Sequence, residues 1–217
     1  MLNSAVDSER QGFMLVLSSP SGVGKTTVAR QVLALEQNIE LSISATTRSP
    51  RPSEKEGKDY YFISKSKFME LCDEGAFLEH ALVYGHHYGT PRAAVEEQLK
   101  SGINVVFDID WQGTQQLKQN KIGDVVSIFL LPPSLSVLKK RLAGRAEDNE
   151  DIIHQRMNKA GEELSHWAEY DYVIINENLD QCVQAVRSII QAECLKRHRQ
   201  KGLVGFMKTL QETSSCL

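Results

Sequence analysis

Ser19-Pro20-Ser21-Gly22-Val23-Gly24-Lys25-Thr26 is the stretch that decides the fold of this chain. It follows an apolar run, residues 13–18, that reads as a buried strand, and it opens a helical pattern over about 25–36. The loop approximates the pattern G-x-x-x-x-G-K-[ST], with Ser19 standing where the first glycine belongs. Gly22 and Gly24 let the backbone curl so that N–H groups converge on phosphate oxygens. The helix N-terminus behind them adds the positive end of its dipole. In such a loop Lys25 places a cation between two phosphates, and Thr26 offers a hydroxyl to a metal ion. The Lys25 side chain is expected to face solvent when the site is empty. The loop signals a nucleotide without saying which reaction.

Outward from this loop, strands and helices alternate. Strand patterns fall at 41–47, 60–62, 77–84, 103–109, 125–131 and 172–175, and helical ones at 65–74, 91–102, 135–144, 145–165 and 179–199. Thr90 reads as an N-cap with Pro91 at the first helical position, and Ser134 caps a helix after Pro132-Pro133. The alternation predicts an α/β fold of the P-loop NTPase type, a parallel sheet with helices on both faces. Residues 42–90 break it and read as a small mixed α/β insertion. The charged block 141–165 reads as a helical lid, because it offers few apolar contacts. The core is then discontinuous, 12–41, 91–140 and 166–200, with tails at 1–11 and 203–217. The tail after Gly202 shows little pattern.

With 217 residues the chain holds a core without staples, and its 41% hydrophobic and 24% charged residues are ordinary globular values. A formal net charge of −3 argues against a nucleic-acid or membrane partner, and nothing calls for an obligate protein partner. No apolar run approaches the ~18 residues of a membrane span. Cys72, Cys182, Cys194 and Cys216 form no C-x-x-C pair and read as reduced thiols of a cytoplasmic protein. The adjacent His86 and His87 lack a third ligand and read as loop surface.

The segment 44–52, Ser-Ala-Thr-Thr-Arg-Ser-Pro-Arg-Pro, puts Arg48 and Arg51 on a proline-stiffened loop. Alone it reads equally as a solvated basic loop or as a bidentate phosphate clamp. Four more runs accompany it in order: the P-loop, Gly57-Lys58-Asp59-Tyr60, Tyr88-Gly89-Thr90 and Asp108-Ile109-Asp110-Trp111-Gln112-Gly113. Together the five resemble the guanylate kinase family over about residues 12–195.

The resemblance implies phosphoryl transfer from ATP to GMP, with deoxy-GMP as a second acceptor and Mg²⁺ accompanying ATP. It makes the insertion a GMP-binding region. It assigns the P-loop, with Thr26 at the metal, and Asn176 to ATP. Arg48, Arg51 and Tyr60 hold the GMP phosphate, while Ser44, Glu79, Tyr88 and Thr90 surround the base. Asp108 approaches either the guanine or the metal. Arg145 and Arg156 of the lid join Lys25 and Arg51 as catalytic cations, and Arg141 lies on the approaching helix. Chemistry agrees at Glu79: guanine presents N1–H and N2–H₂ as neighbouring donors, which one carboxylate accepts together. Tyr60 and Tyr88 read also as half-buried core tyrosines, and Thr90 also as a plain cap. Two rivals stand beside this reading. Phosphoprotein-binding scaffolds of the same fold tend to lose the P-loop lysine, which this chain keeps. The other is a small P-loop kinase acting on a phosphorylated sugar, over which Glu79 and the Ser44/Thr90 pair favour a guanine.

Overall fold

The computed structural model describes residues 10–83, 85–120, 124–143 and 150–214, leaving aside the side chains of 150–155. Its larger sheet has five parallel strands: β1 (Met14–Ser18), β2 (Ile39–Leu41), β7 (Asn104–Asp108), β8 (Val125–Leu131) and β9 (Tyr172–Ile175), in the order β2-β7-β1-β8-β9. β1 is central and buried on both faces, which is why its sequence is a continuous apolar run rather than an alternation. Phe13, Leu15 and Leu17 point to one side, among Val28 and Val32 of α1 (Lys25–Leu35) and Val186 of α7 (Leu179–Cys194). Met14 and Val16 point to the other, among Val95 and Leu99 of α3 (Arg92–Lys100) and Leu117 of α4 (Trp111–Gln119). Helices therefore cover both faces. The P-loop leaves the C-terminal end of β1, and Asp108 ends the neighbouring β7, so both reach the sheet edge where open α/β sheets bind ligands.

A second sheet has the order β4-β3-β6-β5. It consists of β3 (Ala45–Thr46), β4 (Tyr61–Phe62), β5 (Phe77–Val83) and β6 (His86–Pro91), with α2 (Lys65–Asp73) packing Phe68 against Phe77. β5 and β6 are antiparallel, and Glu79 stands opposite Thr90. α5 (Leu135–Ala143) starts after Ser134, whose hydroxyl accepts from the Val137 N–H, as the sequence predicts. α6 (Glu150–Ser165) leads through a short 3₁₀ turn into β9. No helix among the described residues is long and apolar enough to cross a membrane.

Several sequence expectations are corrected. The strand expected over 41–47 is two strands in two sheets: β2 ends on β7, the Ser42 N–H bonds Val106 O, and the chain then crosses to pair β3 with β4 and β6. Thr90 is no helix cap. It lies inside β6, fully buried, and Pro91 takes the cap position. His86 and His87 belong to β6 rather than to a loop, and the His87 ring lies 5.2 Å from that of Phe68. The last helix stops at Cys194, because the chain turns to bury Arg199 against Asp124 and Glu193. The tail, which the sequence reading left without pattern, forms α8 (Leu203–Ser214), whose apolar Val204, Phe206, Met207 and Leu210 stay exposed.

Candidate active site

The P-loop reaches its shape through two glycines at positive φ, Gly22 at 90° and Gly24 at 107°. Gly24 caps α1 without a side chain, so the first N–H groups of that helix point into the cleft. The loop is braced from behind. Val23 O accepts from Asn176 Nδ2 at 2.8 Å and from Arg141 Nη1 at 3.0 Å, and Arg141 Nη2 also reaches Asn176 O. Lys25 does not face solvent as the sequence suggested. Its Nζ lies 2.7 Å from Asp108 Oδ1 and donates to Ile109 O at 3.1 Å. Burial opposes the Lys25 charge, but Asp108 outweighs it and holds the ammonium above its ordinary pKa. Burial likewise opposes the Asp108 charge; Lys25 and the Thr26 hydroxyl, which donates to Oδ2 at 3.0 Å, keep that carboxyl below its usual range.

Two adjoining cavities open here. One, of about 330 Å³, is lined by the P-loop, Arg156, Lys159 and Glu163. The other, of about 810 Å³, runs past Ser44, Arg51, Tyr60 and Tyr88 to Glu79. Lys25, Thr26, Tyr60, Asp108 and Asp110 line both and form the shared wall.

Glu79, in the lining of the larger cavity, is 4% exposed. Its Oε1 accepts from Thr90 Oγ1 at 2.6 Å, and Thr90 in turn lies 3.3 Å from Ser44 Oγ. Burial pushes the Glu79 pKa up to about 7; the Thr90 hydrogen bond opposes the rise and the Asp110 carboxylate adds to it. Asp110 caps α4 through Oδ1, which accepts from the Gly113 N–H at 3.1 Å. Its Oδ2 is buried without a hydrogen-bond partner. Among the described residues neither carboxylate forms a salt bridge, though the Lys25 ammonium is close enough to Asp110 to attract it electrostatically.

The basic loop is organised by a residue that the sequence reading passed over. Glu54 takes Arg48 through both oxygens, at 2.8 and 3.0 Å, and Oε2 also accepts from the Arg51 N–H at 2.7 Å. Arg48 Nε reaches Tyr88 Oη at 3.3 Å, and its guanidinium sits 5.4 Å from the centroid of the Tyr60 ring. Arg48 therefore stands behind the cavity wall with most donors engaged, whereas Arg51 is exposed and lines the cavity. Thr90 and Asn176 also stand behind the walls. Arg156 lines the smaller cavity, and Arg145 lies outside the described residues.

Glu163 of α6 was also passed over, since its partner is remote in sequence. Oε2 accepts from the Ser21 N–H of the P-loop at 3.3 Å, and Oε1 lies 3.8 Å from Lys159 Nζ. Burial raises its pKa against the pull of Lys159. No cluster of three or more His, Cys, Asp or Glu suited to a metal ion occurs among the described residues. Thr26 and Asp108 do supply hard oxygen donors at the shared wall, which suits an ion that takes its other ligands from phosphate and water.

Comparisons with known proteins point to one family. The family profile described as guanylate kinase matches residues 11–193. A guanylate kinase of Paramagnetospirillum magneticum is 54% identical over 202 residues, 93% of this chain and 94% of the relative. One of Bradyrhizobium diazoefficiens is 52% identical over 203 residues, 94% of this chain and 93% of the relative. The crystal structure of guanylate kinase from Anaplasma phagocytophilum superposes with a TM-score of 0.76 at 38% identity, covering 94% of this chain and 97% of that one. With the profile spanning most of its length and relatives above half identity across it, the chain belongs to the guanylate kinase family, nucleoside monophosphate kinases that transfer a phosphoryl group from ATP to GMP.

Proposed function

We propose that ATP lies on the P-loop side of the cleft and GMP, or deoxy-GMP, in the larger cavity, with the guanine read by Glu79. The observation that carries this reading is the junction of the two cavities at Lys25, Thr26 and Asp108, with the buried carboxylate of Glu79 lining the larger one. A nucleotide on each side brings two phosphate groups to that shared wall.

In this reading Ser19, Ser21, Gly22, Val23 and Gly24 turn backbone N–H groups to the ATP phosphates and Pro20, which has no N–H, shapes the loop between them, while Lys25 leaves Asp108 for the phosphates. Thr26 and Asp108 would hold Mg²⁺, which supplies positive charge to the phosphate oxygens when bound. Asn176 acts from behind the loop, by fixing Val23. Arg51 and Tyr60 take the GMP phosphate, with Arg48 held in place by Glu54. Ser44, Tyr88 and Thr90 complete the base end.

A GMP phosphate oxygen attacks the γ-phosphorus in line, the bond to the β–γ bridging oxygen breaks, and ADP and GDP result. That oxygen is already anionic, so no protein base is required. Lys25, Arg51, Arg145 and Arg156 neutralise the charge that the two phosphates bring together. Closure of 141–165 and of the insertion 42–90 over the core would exclude water, which otherwise hydrolyses ATP. A cytoplasmic location belongs to the same proposal; Cys72, Cys182 and Cys194 are free thiols, as a reducing compartment keeps them.

The test is a coupled assay across AMP, GMP, CMP, UMP and IMP with wild type and Glu79→Gln. Wild type is expected to prefer GMP. The variant places a donor against a guanine N–H, and its kcat/KM for GMP should fall by about 10- to 100-fold, the scale of one buried polar group left unpaired. KM for ATP should stay near wild type. An unchanged GMP/IMP ratio in the variant rejects Glu79 as the reader and moves attention to Asp108 and Asp110.

A further inference from the structure

The run 108–113 supplies Asp108 and Asp110 to the cleft, but its last residue, Gly113, has no part in the reading above. Gly113 is buried in the first turn of α4. A glycine inside a helix is less favourable than alanine there, because the chain gives up more freedom on folding. Its presence therefore asks for a local reason, and the acceptor cavity supplies one. A Cβ on Gly113 would stand 2.8 Å from Glu79 Oε2, 3.3 Å from Glu79 Cδ and 3.2 Å from Ile109 Cδ1. The first distance is closer than real Cβ contacts come, so something would have to move.

Glu79 has little room to do so. Its other oxygen is bonded at 2.6 Å to Thr90, a residue wholly buried in the neighbouring strand. Gly113 also reaches the second carboxylate of the cavity, since its N–H donates to Asp110 Oδ1 and turns Oδ2 into its unpartnered position. One residue thus bears on both carboxylates, on Glu79 through the space its missing side chain leaves and on Asp110 through its amide.

We propose that Gly113 is a positioning residue for acceptor specificity: its missing side chain sets how deep the Glu79 carboxylate lies against the guanine edge, while its N–H fixes the neighbouring Asp110. This rests on Glu79 as the guanine reader. A methyl group at 113 pushes the carboxylate into the space of the base. It leaves the P-loop untouched.

The test uses the full chain and compares wild type, Gly113→Ala, Glu79→Asp, the double variant and Glu79→Gln in steady-state kinetics with GMP, IMP and ATP, alongside thermal melts. Gly113→Ala is expected to raise KM for GMP by about tenfold or more and to narrow the GMP/IMP gap, with KM for ATP within about twofold. Glu79→Asp shortens the side chain by one methylene and makes room for the new methyl, so the double variant should bind GMP better than the two single effects added together. A glycine present for helix geometry alone predicts the opposite set: a melting temperature equal or higher in Gly113→Ala, with GMP and ATP constants unmoved. That outcome, with Glu79→Gln still impaired on GMP, overturns the inference and leaves the guanine reading standing. If Glu79→Gln itself leaves GMP kinetics unchanged, the guanine reading fails and the inference falls with it. Should Gly113→Ala not fold, the amide resonance of Gly113 in wild type carries the test. Saturating GMP is expected to shift it and a non-hydrolysable ATP analogue is not, and a resonance unmoved by GMP overturns the proposal.

Discussion

On the P-loop side of the cleft the charges meet partners of opposite sign: Lys25 lies on Asp108, and Glu163 lies beside Lys159 and the Ser21 N–H. In the acceptor cavity Glu79 is buried without a cation, and Asp110 in the shared wall keeps one oxygen buried with no hydrogen-bond partner. The difference is chemical in origin. A phosphate site must hold positive charge before its ligand arrives, and internal carboxylates keep that charge compensated until phosphate oxygens replace them. A base-reading site has to distinguish neutral edges, and an ionised carboxylate, which can only accept, rejects a base edge that sets an acceptor against it. Binding on the first side exchanges partners; binding on the second side supplies partners that the protein lacks.

The largest effect is expected from breaking the first side. Lys25→Ala should lower kcat by about 10²–10³, the scale of removing one charge partner of the transition state. Because Lys25 is paired rather than free, the substitution should also lower the melting temperature, by leaving Asp108 with only Thr26. A variant with near-normal GDP production removes Lys25 from the mechanism, and one with an unchanged melting temperature removes the pair from the stability of the empty fold.

The next effect sharpens the second side through pH. Burial lifts Glu79 from an ordinary 4.5 to about 7, so between those values the folded chain holds this proton more firmly than the unfolded chain does. The group's contribution to stability is accordingly greatest at low pH and declines as pH rises through that window. Acceptance of two guanine N–H groups needs the ionised form, so GMP must expel the proton when pH is below about 7. Below that point KM for GMP should climb by up to about tenfold per pH unit. The GMP phosphate titrates nearby as well, but it does so equally with Glu79→Gln. The difference between the two profiles therefore isolates Glu79, and profiles that run parallel exclude a proton-linked reader. Melting temperature, taken as variant minus wild type, should rise between pH 5 and pH 8.

The smallest effect concerns the carboxylate seated at the P-loop. Glu163→Gln weakens the competitor for the Ser21 N–H, so KM for ATP should fall by about two- to fivefold, the worth of one modest hydrogen bond. KM for GMP should not respond. A rise in KM for ATP would mean that Glu163 serves the nucleotide rather than competing with it.

Local pattern carried the outline of this protein. Phe13 to Ser18 shows no alternation because the strand is covered on both faces, and the Gly-Val-Gly-Lys-Thr turn that follows reads as a phosphate loop wherever it joins a strand to a helix. Those features depend on neighbours in the chain, so the five-stranded core and its nucleotide loop were legible in the sequence. Glu79 was singled out by the family resemblance and by the match of one carboxylate to two neighbouring guanine donors, and the structure buries it in β5. What the sequence could not show depends on residues brought together from far apart. The pairing of Lys25 with Asp108 spans 83 positions, 25 to 108, and the seat of Glu163 on Ser21 spans 142. The reach of Thr90 to Glu79 comes from the antiparallel register of β5 and β6, which turned an apparent helix cap into a buried hydroxyl. Gly113 looked like one more letter of a motif until α4 was laid against β5. A side chain's charge, depth and freedom are properties of what packs around it, and only the tertiary structure decides that.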